Sequence, residues 1–308
     1  MASELYIVAV TDDDVDGGAL VAGAVVLVED LEARWSRFLV SSDISRINLV
    51  GASGGGAVVI DRSTSTLLDA MVVGFERTSG RFDPTQLRAV LTAGYTSSID
   101  DPEVVCPFGS EAQATGPAIF DLLLDVDRST VTVPAGLGLD AGGIGKGLAA
   151  DLAVDLLRTA GASGALVSIG GDLSCWGRAP RCAGWLVDVE APGIVGSTCA
   201  RLALDGGGVA TSSVRSRRWI VDGEERHHQI DPATGACSDT DLEAVTVVAS
   251  TGWLAEVHAT AALAAGSTGV VAYLEGHGLS GLAHAADGRI LSTADLSDLR
   301  ELRPESVR

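Results

Sequence analysis

A glycine-rich turn occupies residues 139–148 and has the sequence LDAGGIGKGL. Glycine fills four of the six positions from 142 to 147, so the backbone can adopt positive φ and let a ligand approach closely. The turn also contains one carboxylate, Asp140, and one ammonium, Lys146. A helix is predicted to begin here, and its free N–H groups and positive dipole end would attract a phosphate. The turn therefore predicts a phosphate-binding site, with Asp140 available for a metal ion or a ribose hydroxyl.

Two standard phosphate motifs do not fit this turn. The P-loop pattern G-x-x-x-x-G-K-[ST] fails, because Asp140 stands at its first glycine and Gly147 at the Ser or Thr that binds magnesium. A dinucleotide fingerprint G-x-G-x-x-G/A can be placed on Gly136, Gly138 and Ala141, but no parallel βαβ pattern surrounds it. For this stretch taken alone, a plain glycine-rich loop without a ligand is the alternative.

Composition indicates a large folded protein with an acidic surface. Of the 308 residues, 46% are hydrophobic and 20% are charged, which supplies a sizeable core. We predict a single domain over residues 1–300, followed by a charged tail at 301–308. The formal net charge of −20 disfavours nucleic acid and anionic membranes as partners. A protein this acidic needs a metal ion or a helix end to bind a polyphosphate.

Cysteine usage and the N-terminus bear on the compartment. The chain has five cysteines, an odd number, and no C-x-x-C, which favours free thiols over a disulfide framework or a zinc site. Residues 1–10 lack the basic and long apolar regions of a signal peptide, and no apolar run reaches about 18 residues. We therefore predict a cytoplasmic protein without a membrane anchor.

Hydrophobic spacing places helices and strands in an α+β order. Residues 19–38 and 146–159 have helical spacing, and Thr251 is a good N-cap for a helix reaching about residue 265. A strand at 165–169 stops at Gly170-Gly171-Asp172. Helices come early, short strands come late, and no regular βαβ alternation appears. This order favours α+β over a doubly wound sheet.

A histidine pair precedes a turn at residues 227–235, which read HHQIDPATG. Asp-Pro-x-x-Gly is good turn chemistry. Neighbouring residues on a strand point to opposite faces, so at most one histidine faces a given site. A histidine beside a phosphate could act as the base for an incoming hydroxyl. A surface histidine pair before a turn is the alternative.

Two further sets contain groups suited to a nucleotide. Glu256 and Thr260 are four residues apart on a predicted helix, so they share a face, and their oxygens suit Mg²⁺; an exposed polar face is the alternative. His258 would point elsewhere. Residues 81–83, Arg-Phe-Asp, together with Phe38, could hold a flat heterocycle, and an ordinary core phenylalanine is the alternative there.

Taken in order, these motifs resemble the FAD:protein FMN transferase family, also called the ApbE family. The resemblance covers residues from about 35 to about 266. Its segments are 36–48, 80–83, 140–150, 168–172, 228–235, 240–248 and 256–260. Each motif alone is modestly specific, whereas the ordered set is strong. The resemblance implies an α+β, ApbE-like (T-fold-like) architecture of antiparallel sheets with packed helices.

The same resemblance implies a function. Members of the family bind FAD with Mg²⁺ and transfer its FMN half to a Thr or Ser hydroxyl of a flavoprotein, releasing AMP. By similarity, His228 is the catalytic base, and Gly143, through its carbonyl, Glu256 and Thr260 are metal ligands. FAD contacts fall on Phe38, Arg81, Phe82, Asp83, Asp140, Lys146 and Ile230, and Lys146 is also catalytic. Two alternatives are an FAD pyrophosphatase that yields FMN and AMP, and a non-catalytic FAD-binding carrier.

Two positions depart from the family pattern. The usual metal-binding aspartate is Glu256 here, which is longer by one methylene. The N-terminal Met-Gly-Thr of the family is at best Met1-Ala2-Ser3. The lipoprotein signal of many periplasmic members is also not found, which again predicts a cytoplasmic form.

Overall fold

The computed structural model describes residues 3–98, 103–108, 116, 118–180, 184–194 and 196–299. The helices are α1 (Gly17–Trp35), α2 (Asp43–Ala52), α3 (Arg62–Arg77), α4 (Leu87–Thr92), α5 (Gly145–Thr159), α6 (Gly252–Leu263) and α7 (Gly266–Gly276). The first eight strands are β1 (Leu5–Val10), β2 (Gly56–Val59), β3 (Leu123–Asp125), β4 (Thr130–Val133), β5 (Gly164–Ile169), β6 (Asp172–Gly177), β7 (Trp185–Glu190) and β8 (Thr198–Leu204). The other eight are β9 (Gly207–Ser213), β10 (Arg218–Val221), β11 (Glu224–His227), β12 (Ile230–Asp231), β13 (Ala236–Cys237), β14 (Leu242–Ala249), β15 (Ser280–Ala285) and β16 (Ile290–Ser292).

The chain divides into two compact units. The first unit contains Leu27–Gly145 and Ser216–Asp239, and the second contains Ser3–Val26, Lys146–Arg215 and the chain from Thr240 onward. The glycine-rich turn spans the boundary, since Gly145 ends a stretch of the first unit and Lys146 begins a stretch of the second. That residues 1–300 fold as one domain stays a prediction, and the predicted tail at 301–308 lies outside the described residues.

The second unit is built on a seven-stranded antiparallel sheet in the order β1-β5-β6-β9-β14-β15-β16. Alternate residues of its strands face opposite layers, as the two-residue period of a strand requires. On β15, Leu282 joins a core shared with the β7–β8 hairpin, whereas Ala283 joins a core shared with α6 and α7. The result is a hairpin layer, a sheet and a helix layer.

Helix α6 is buried on nearly every side within the second unit. Thr251 caps its start by accepting a hydrogen bond from the Leu254 N–H, as predicted. Its residues from 254 to 259 are all buried, and this run includes Glu256 and His258. A helix that is apolar all round belongs in a core. The two polar side chains of that run are therefore enclosed by protein, and each needs a partner.

The first unit contains a three-stranded antiparallel sheet in the order β2-β4-β3 and two hairpins, β10–β11 and β12–β13. Helices α2, α3 and α4 also belong to this unit. Antiparallel sheets together with separate helices confirm the α+β prediction. Strands β6, β9, β11, β12 and β13 are not among the predicted strands. In β6, β9 and β11, glycines, serines and charged residues hide the alternation of a half-buried strand, and β12 and β13 are only two residues long.

No helix among the described residues is both long enough and apolar enough to cross a bilayer. The four described cysteines are free thiols, whereas Cys182 lies outside the described residues.

Asn48 on α2 holds the chain just before the glycine-rich turn. Its amide nitrogen donates to the Leu139 carbonyl over 2.9 Å, and its amide oxygen accepts from the Leu139 N–H over 2.6 Å. The side chain is only 2% exposed. Its amide forms with Leu139 the same pair of hydrogen bonds that a neighbouring β-strand would form. This reciprocal pair fixes the backbone next to Asp140.

Replacing Asn48 with alanine should therefore destabilise the protein. Asn48→Ala leaves the buried N–H and carbonyl of Leu139 without partners, at a cost of about 1–3 kcal/mol for each group. Urea denaturation followed by circular dichroism measures the free energy of unfolding. Thr66→Ala on the exposed face of α3 is the control and should change it by less than about 0.5 kcal/mol. Equal free energies of unfolding for Asn48→Ala and the wild type would contradict a stabilising role of the hydrogen bonds between Asn48 and Leu139.

Candidate active site

Gly147, which follows Lys146, is required by packing within the second unit. A Cβ atom on Gly147 would lie 2.4 Å from the carbonyl oxygen of Gly252, the first residue of α6. A Cβ on Gly208 of β9 would lie 2.3 Å from the nitrogen of the same Gly252. No side chain fits at such distances. Helices α5 and α6 and strand β9 therefore meet backbone to backbone at this point.

The predicted use of the turn glycines was wrong in one respect. Gly142, Gly143, Gly145 and Gly147 all stay outside the left-handed φ region, so the turn does not use positive φ. The physical reason is that the chain is already entering α5, where φ is negative. At Gly147 the missing side chain admits a neighbouring helix. At Gly147, therefore, a helix comes close to the backbone, where the sequence predicted that a ligand would do so.

Asp151 fixes the start of α6 against α5. Its two carboxylate oxygens accept hydrogen bonds from the N–H groups of Gly252 over 2.8 Å and Trp253 over 2.9 Å. These donors lack partners within their own helix, so a carboxylate from outside can satisfy them. Burial raises the pKa of Asp151, although these hydrogen bonds act in the opposite direction. The capping carboxylate ties the beginning of one helix to the first turns of the other.

Lys146 is the only lysine of the chain, and its ammonium contacts two buried carboxylates. It forms ion pairs with Asp172 Oδ2 at 2.7 Å and with Glu256 Oε1. The other oxygen of Glu256 accepts the Gly147 N–H over 2.8 Å. The side chains of Asp172 and Glu256 are 5% and 4% exposed. The structure thus brings together two of the predicted site residues, Lys146 and Glu256, and rules out the exposed-face alternative for Glu256.

Asp172 belongs to the Gly170-Gly171-Asp172 motif but is not among the predicted site residues. It begins β6 after Gly170 and Gly171, whose φ values of +59° and +90° form the tight turn between β5 and β6. Two successive residues with positive φ match a hairpin turn that only glycine adopts easily. Asp172 Oδ1 also accepts from the Thr211 N–H over 3.0 Å. The sequence signal that could have identified Asp172 as a site residue is an acidic residue directly after two glycines at the end of a predicted strand.

Burial and charge oppose each other in the cluster of Lys146, Asp172 and Glu256. Burial, reinforced by the charge of Asp172, raises the pKa of Glu256 to about 7, while Lys146 opposes the rise. For Lys146, burial favours the neutral form, but the charges of Asp172 and Glu256 outweigh it and raise its pKa. Lys146 is therefore cationic at neutral pH.

Thr260 lies one helical turn beyond Glu256 on α6 and is half-buried. Its hydroxyl is 3.1 Å from the hydroxyl of Ser212 on β9. His258, between them in sequence, is directed to Tyr273, with 2.8 Å between its Nδ1 and the phenol oxygen. The prediction that His258 points elsewhere is confirmed.

Glu256 and Thr260 supply the types of oxygen donor that Mg²⁺ prefers. The described residues contain no group of three or more His, Cys, Asp or Glu side chains arranged to hold a metal ion. Magnesium does not require such a group, because it keeps several waters and is bound through one or two carboxylates plus substrate phosphates. Glu256 supplies a hard carboxylate and Thr260 a hydroxyl.

In the first unit, Asp140 is held on several sides. Its carboxylate lies 3.3 Å from Nε of Arg37 and accepts the Gly142 N–H over 2.9 Å, and its own N–H donates to the Pro84 carbonyl over 2.9 Å. Gly143 follows in a turn closed by the Ala141 carbonyl, which accepts from Ile144 N–H over 3.2 Å and Gly145 N–H over 2.8 Å.

The aromatic and charged residues predicted to line the FAD pocket have different environments. Phe38 is half-buried and lies edge-on to Tyr95 at 6.0 Å between ring centroids. Phe82 is only 3% exposed, and its N–H donates to the Thr78 hydroxyl, as expected for the core alternative. Asp83 accepts hydrogen bonds from Thr85 and Gln86, just before α4. Arg81 is exposed.

His228 and Ile230 lie at a hairpin of the first unit. Ile230 pairs with Cys237 across β12 and β13, and the Asp231 carboxylate accepts from the Ala233 N–H over 3.0 Å. The Gly235 N–H donates to the Asp231 carbonyl over 2.8 Å, so the predicted turn is confirmed. His228 Nε2 lies 3.1 Å from the Gln229 side-chain nitrogen. Burial lowers the pKa of its neighbour His227.

Solved structures of ApbE proteins share this α+β fold. The ApbE protein of Thermotoga maritima aligns with a TM-score of 0.83 and 24% identity, covering 97% of this chain and 100% of that one. The flavinyl transferase ApbE of Pseudomonas stutzeri aligns with a TM-score of 0.79 and 23% identity, covering 98% of both chains. At these identities the likeness establishes the fold.

Sequence comparison establishes the family. The ApbE family model matches residues 1–283, and the chain belongs to this family of flavin transferases. The FAD:protein FMN transferase of Treponema pallidum is 29% identical over 276 residues, which cover 83% of this chain and 75% of that relative. The FAD:protein FMN transferase of Haemophilus influenzae is 23% identical over 75% of this chain and 68% of the relative. The resemblance inferred from the ordered motifs is confirmed.

The ion pairs of Lys146 lead to a stability prediction. Lys146→Met would leave Asp172 and Glu256 buried together without a cation, and we expect the free energy of unfolding to fall by about 3–5 kcal/mol. Urea denaturation at neutral pH measures the change. Adding Glu256→Gln to Lys146→Met should recover part of the loss, because it removes one of the two negative charges.

A surface ion pair provides the control. Arg158 pairs with Asp155 at 2.9 Å, and the two side chains are 52% and 61% exposed. Arg158→Met should cost less than about 1 kcal/mol. If Lys146→Met lowered the free energy of unfolding as little as Arg158→Met does, the ion pairs of the buried cluster would not stabilise the protein as predicted.

Proposed function

We propose that this protein transfers the FMN moiety of FAD to a Thr or Ser hydroxyl of a flavoprotein in a Mg²⁺-dependent reaction that releases AMP. Membership of the ApbE family and relatives that are FAD:protein FMN transferases support the reaction class. The observation that supports the chemistry best is the buried cluster in which Lys146 contacts Asp172 and Glu256. Lys146 supplies a fixed positive charge there, and cleavage of a pyrophosphate needs positive charge near the phosphate oxygens.

The bond changes follow from the substrates. The acceptor hydroxyl oxygen forms a bond to the phosphorus of the FMN half, and the pyrophosphate bond to the AMP half breaks. The hydroxyl proton passes to a base, a role we assign to His228, and AMP departs with the electron pair of the broken bond. Lys146 stabilises negative charge on the phosphate oxygens during this exchange.

Mg²⁺, when bound, would neutralise charge on the pyrophosphate and lower the barrier to its cleavage. Glu256, Thr260 and the Gly143 carbonyl are the ligands we propose for it. Asp172 holds Lys146 in place through its own ion pair. The residues assigned to FAD contacts are Phe38, Arg81, Phe82, Asp83, Asp140, Lys146 and Ile230. The cytoplasmic location of the protein stays a prediction.

A direct test of the reaction uses mass spectrometry. The protein is incubated with FAD, Mg²⁺ and a candidate acceptor flavoprotein prepared without covalent flavin. The acceptor should gain the mass of an FMN group in phosphoester linkage, AMP should appear in equal amount, and EDTA should stop both. FMN and AMP produced without an acceptor would instead identify an FAD pyrophosphatase. FAD bound without turnover, with an acceptor that the Treponema pallidum enzyme modifies, would identify a carrier.

The proposed metal ligand Thr260 has a matched pair of variants. Thr260→Val keeps the shape of the side chain but removes the hydroxyl, and we expect the Mg²⁺ concentration for half-maximal transfer to rise about 10- to 100-fold. Thr260→Ser keeps the hydroxyl and should stay near the wild type. Isothermal titration with Mg²⁺ provides a reading that does not depend on turnover. An unchanged Mg²⁺ requirement in Thr260→Val would remove Thr260 from the ligand set.

A further inference from the structure

Arg37 is a buried cation of the first unit that none of the predicted roles includes. It follows α1 in the chain, and its side chain is 4% exposed. Arginine is almost never fully buried unless it is paired. Its Nε lies 3.3 Å from Asp140 Oδ2, and its Nη1 donates to the Tyr95 carbonyl over 3.2 Å. The carboxylate that it meets is thus that of the glycine-rich turn.

The guanidinium group is fixed in place by its surroundings. Its central carbon lies 4.3 Å from the ring centroid of Phe38 and 4.6 Å from that of Tyr95, within range of cation–π attraction. The Arg37 carbonyl accepts a hydrogen bond from the Ser45 hydroxyl over 3.3 Å and lies 3.7 Å from Cys106 Sγ. The backbone and the guanidinium are therefore both held, and the guanidinium cannot turn away from Asp140 without leaving the two rings and the Tyr95 carbonyl.

The burial of Arg37 cannot be explained by protein stability alone, because it has a cost. Nη2 of Arg37 is enclosed and has no hydrogen-bond partner. A buried donor without a partner normally costs stability, and such an exception calls for an explanation. A leucine or methionine would fill the space without this penalty. The group that the guanidinium faces, the Asp140 carboxylate, accounts for a charged residue at this place.

Asp140 is well placed to use such support. One oxygen faces Arg37, the other accepts the Gly142 N–H, and the backbone N–H is tied to Pro84. The side chain nevertheless keeps 21% exposure, so part of the carboxylate is open. A fixed anionic acceptor repels phosphate and attracts hydroxyl or N–H donors.

We propose that Arg37 is a positioning residue that fixes the Asp140 carboxylate as an acceptor for a hydroxyl or N–H donor of bound FAD. The inference rests on the proposed function, because it takes FAD as the ligand. Arg37 acts through Asp140 and does not touch the reacting atoms. The planar guanidinium matters because a lysine at this position cannot engage Asp140, Tyr95 and both rings at once.

A double-mutant cycle tests the proposal. FAD affinity is measured by quenching of flavin fluorescence in the presence of Mg²⁺ and without an acceptor, for Arg37→Met, Asp140→Asn and the double variant. We expect Arg37→Met to weaken FAD binding at least about tenfold when Asp140 is present, and less than about twofold in the Asp140→Asn background. Arg37→Lys should fall between the wild type and Arg37→Met.

Controls separate positioning from general damage. Arg34, three residues earlier, forms ion pairs with Asp30 at 2.7 Å and Asp61 at 3.3 Å, and Arg34→Lys should leave FAD affinity unchanged. Thermal midpoints are measured for every variant. A purely structural Arg37 would weaken FAD binding equally with Asp140 and with Asn at position 140, and that result would overturn the proposal.

The outcomes also distinguish this inference from the proposed function. Unchanged FAD affinity in Arg37→Met, beside a wild type that binds and transfers, would overturn the inference alone. Failure of the wild type to bind FAD would overturn both. If Arg37→Met does not fold, the decision rests on Arg37→Lys. A loss of affinity that disappears in the Asp140→Asn background supports positioning, and an unchanged affinity overturns it.

Discussion

The ammonium of Lys146, held against two carboxylates that are almost sealed from water, is the interaction on which the second unit depends. Three segments must reach one point: the start of α5, the start of β6 and the middle of α6. Like charges cannot be buried together without a cation, so the position of each segment constrains the other two. The residues around these three segments allow the segments to meet.

Small residues make the convergence possible. Gly147, Gly208 and Gly252 let two helices and a strand approach backbone to backbone, where a single methyl group would collide. Gly170 and Gly171 turn the chain so that Asp172 begins the next strand beside Lys146. The glycines of the chemical motif therefore have architectural roles. The same packing brings Glu256 within reach of two partners: one oxygen contacts Lys146 and the other accepts the Gly147 N–H.

The buried cation of the first unit is an arginine, and its surroundings differ from those of Lys146. Lys146 is a compact charge with two acidic partners, whereas Arg37 is a planar group that lies against two rings and faces one carboxylate. Asn48 and Pro84 fix the backbone that leads into Asp140, through hydrogen bonds to Leu139 and to the Asp140 N–H. Each unit thus holds its part of the glycine-rich turn by short, directional contacts.

The sequence by itself determined the family, the α+β class and most helices, because ordered motifs, helical spacing and capping residues are local signals. Thr251 and the 146–159 helix show this, since the cap and the element both lie where the local pattern predicts them. Only the tertiary structure decided the roles of Asp172, Asp151 and Arg37. Their partners lie far away in sequence, as the contacts of Asp172 with Lys146 and of Asp151 with Gly252 show. It also decided that Gly147 makes room for a helix, because the distance between two backbones depends on packing that no local pattern encodes.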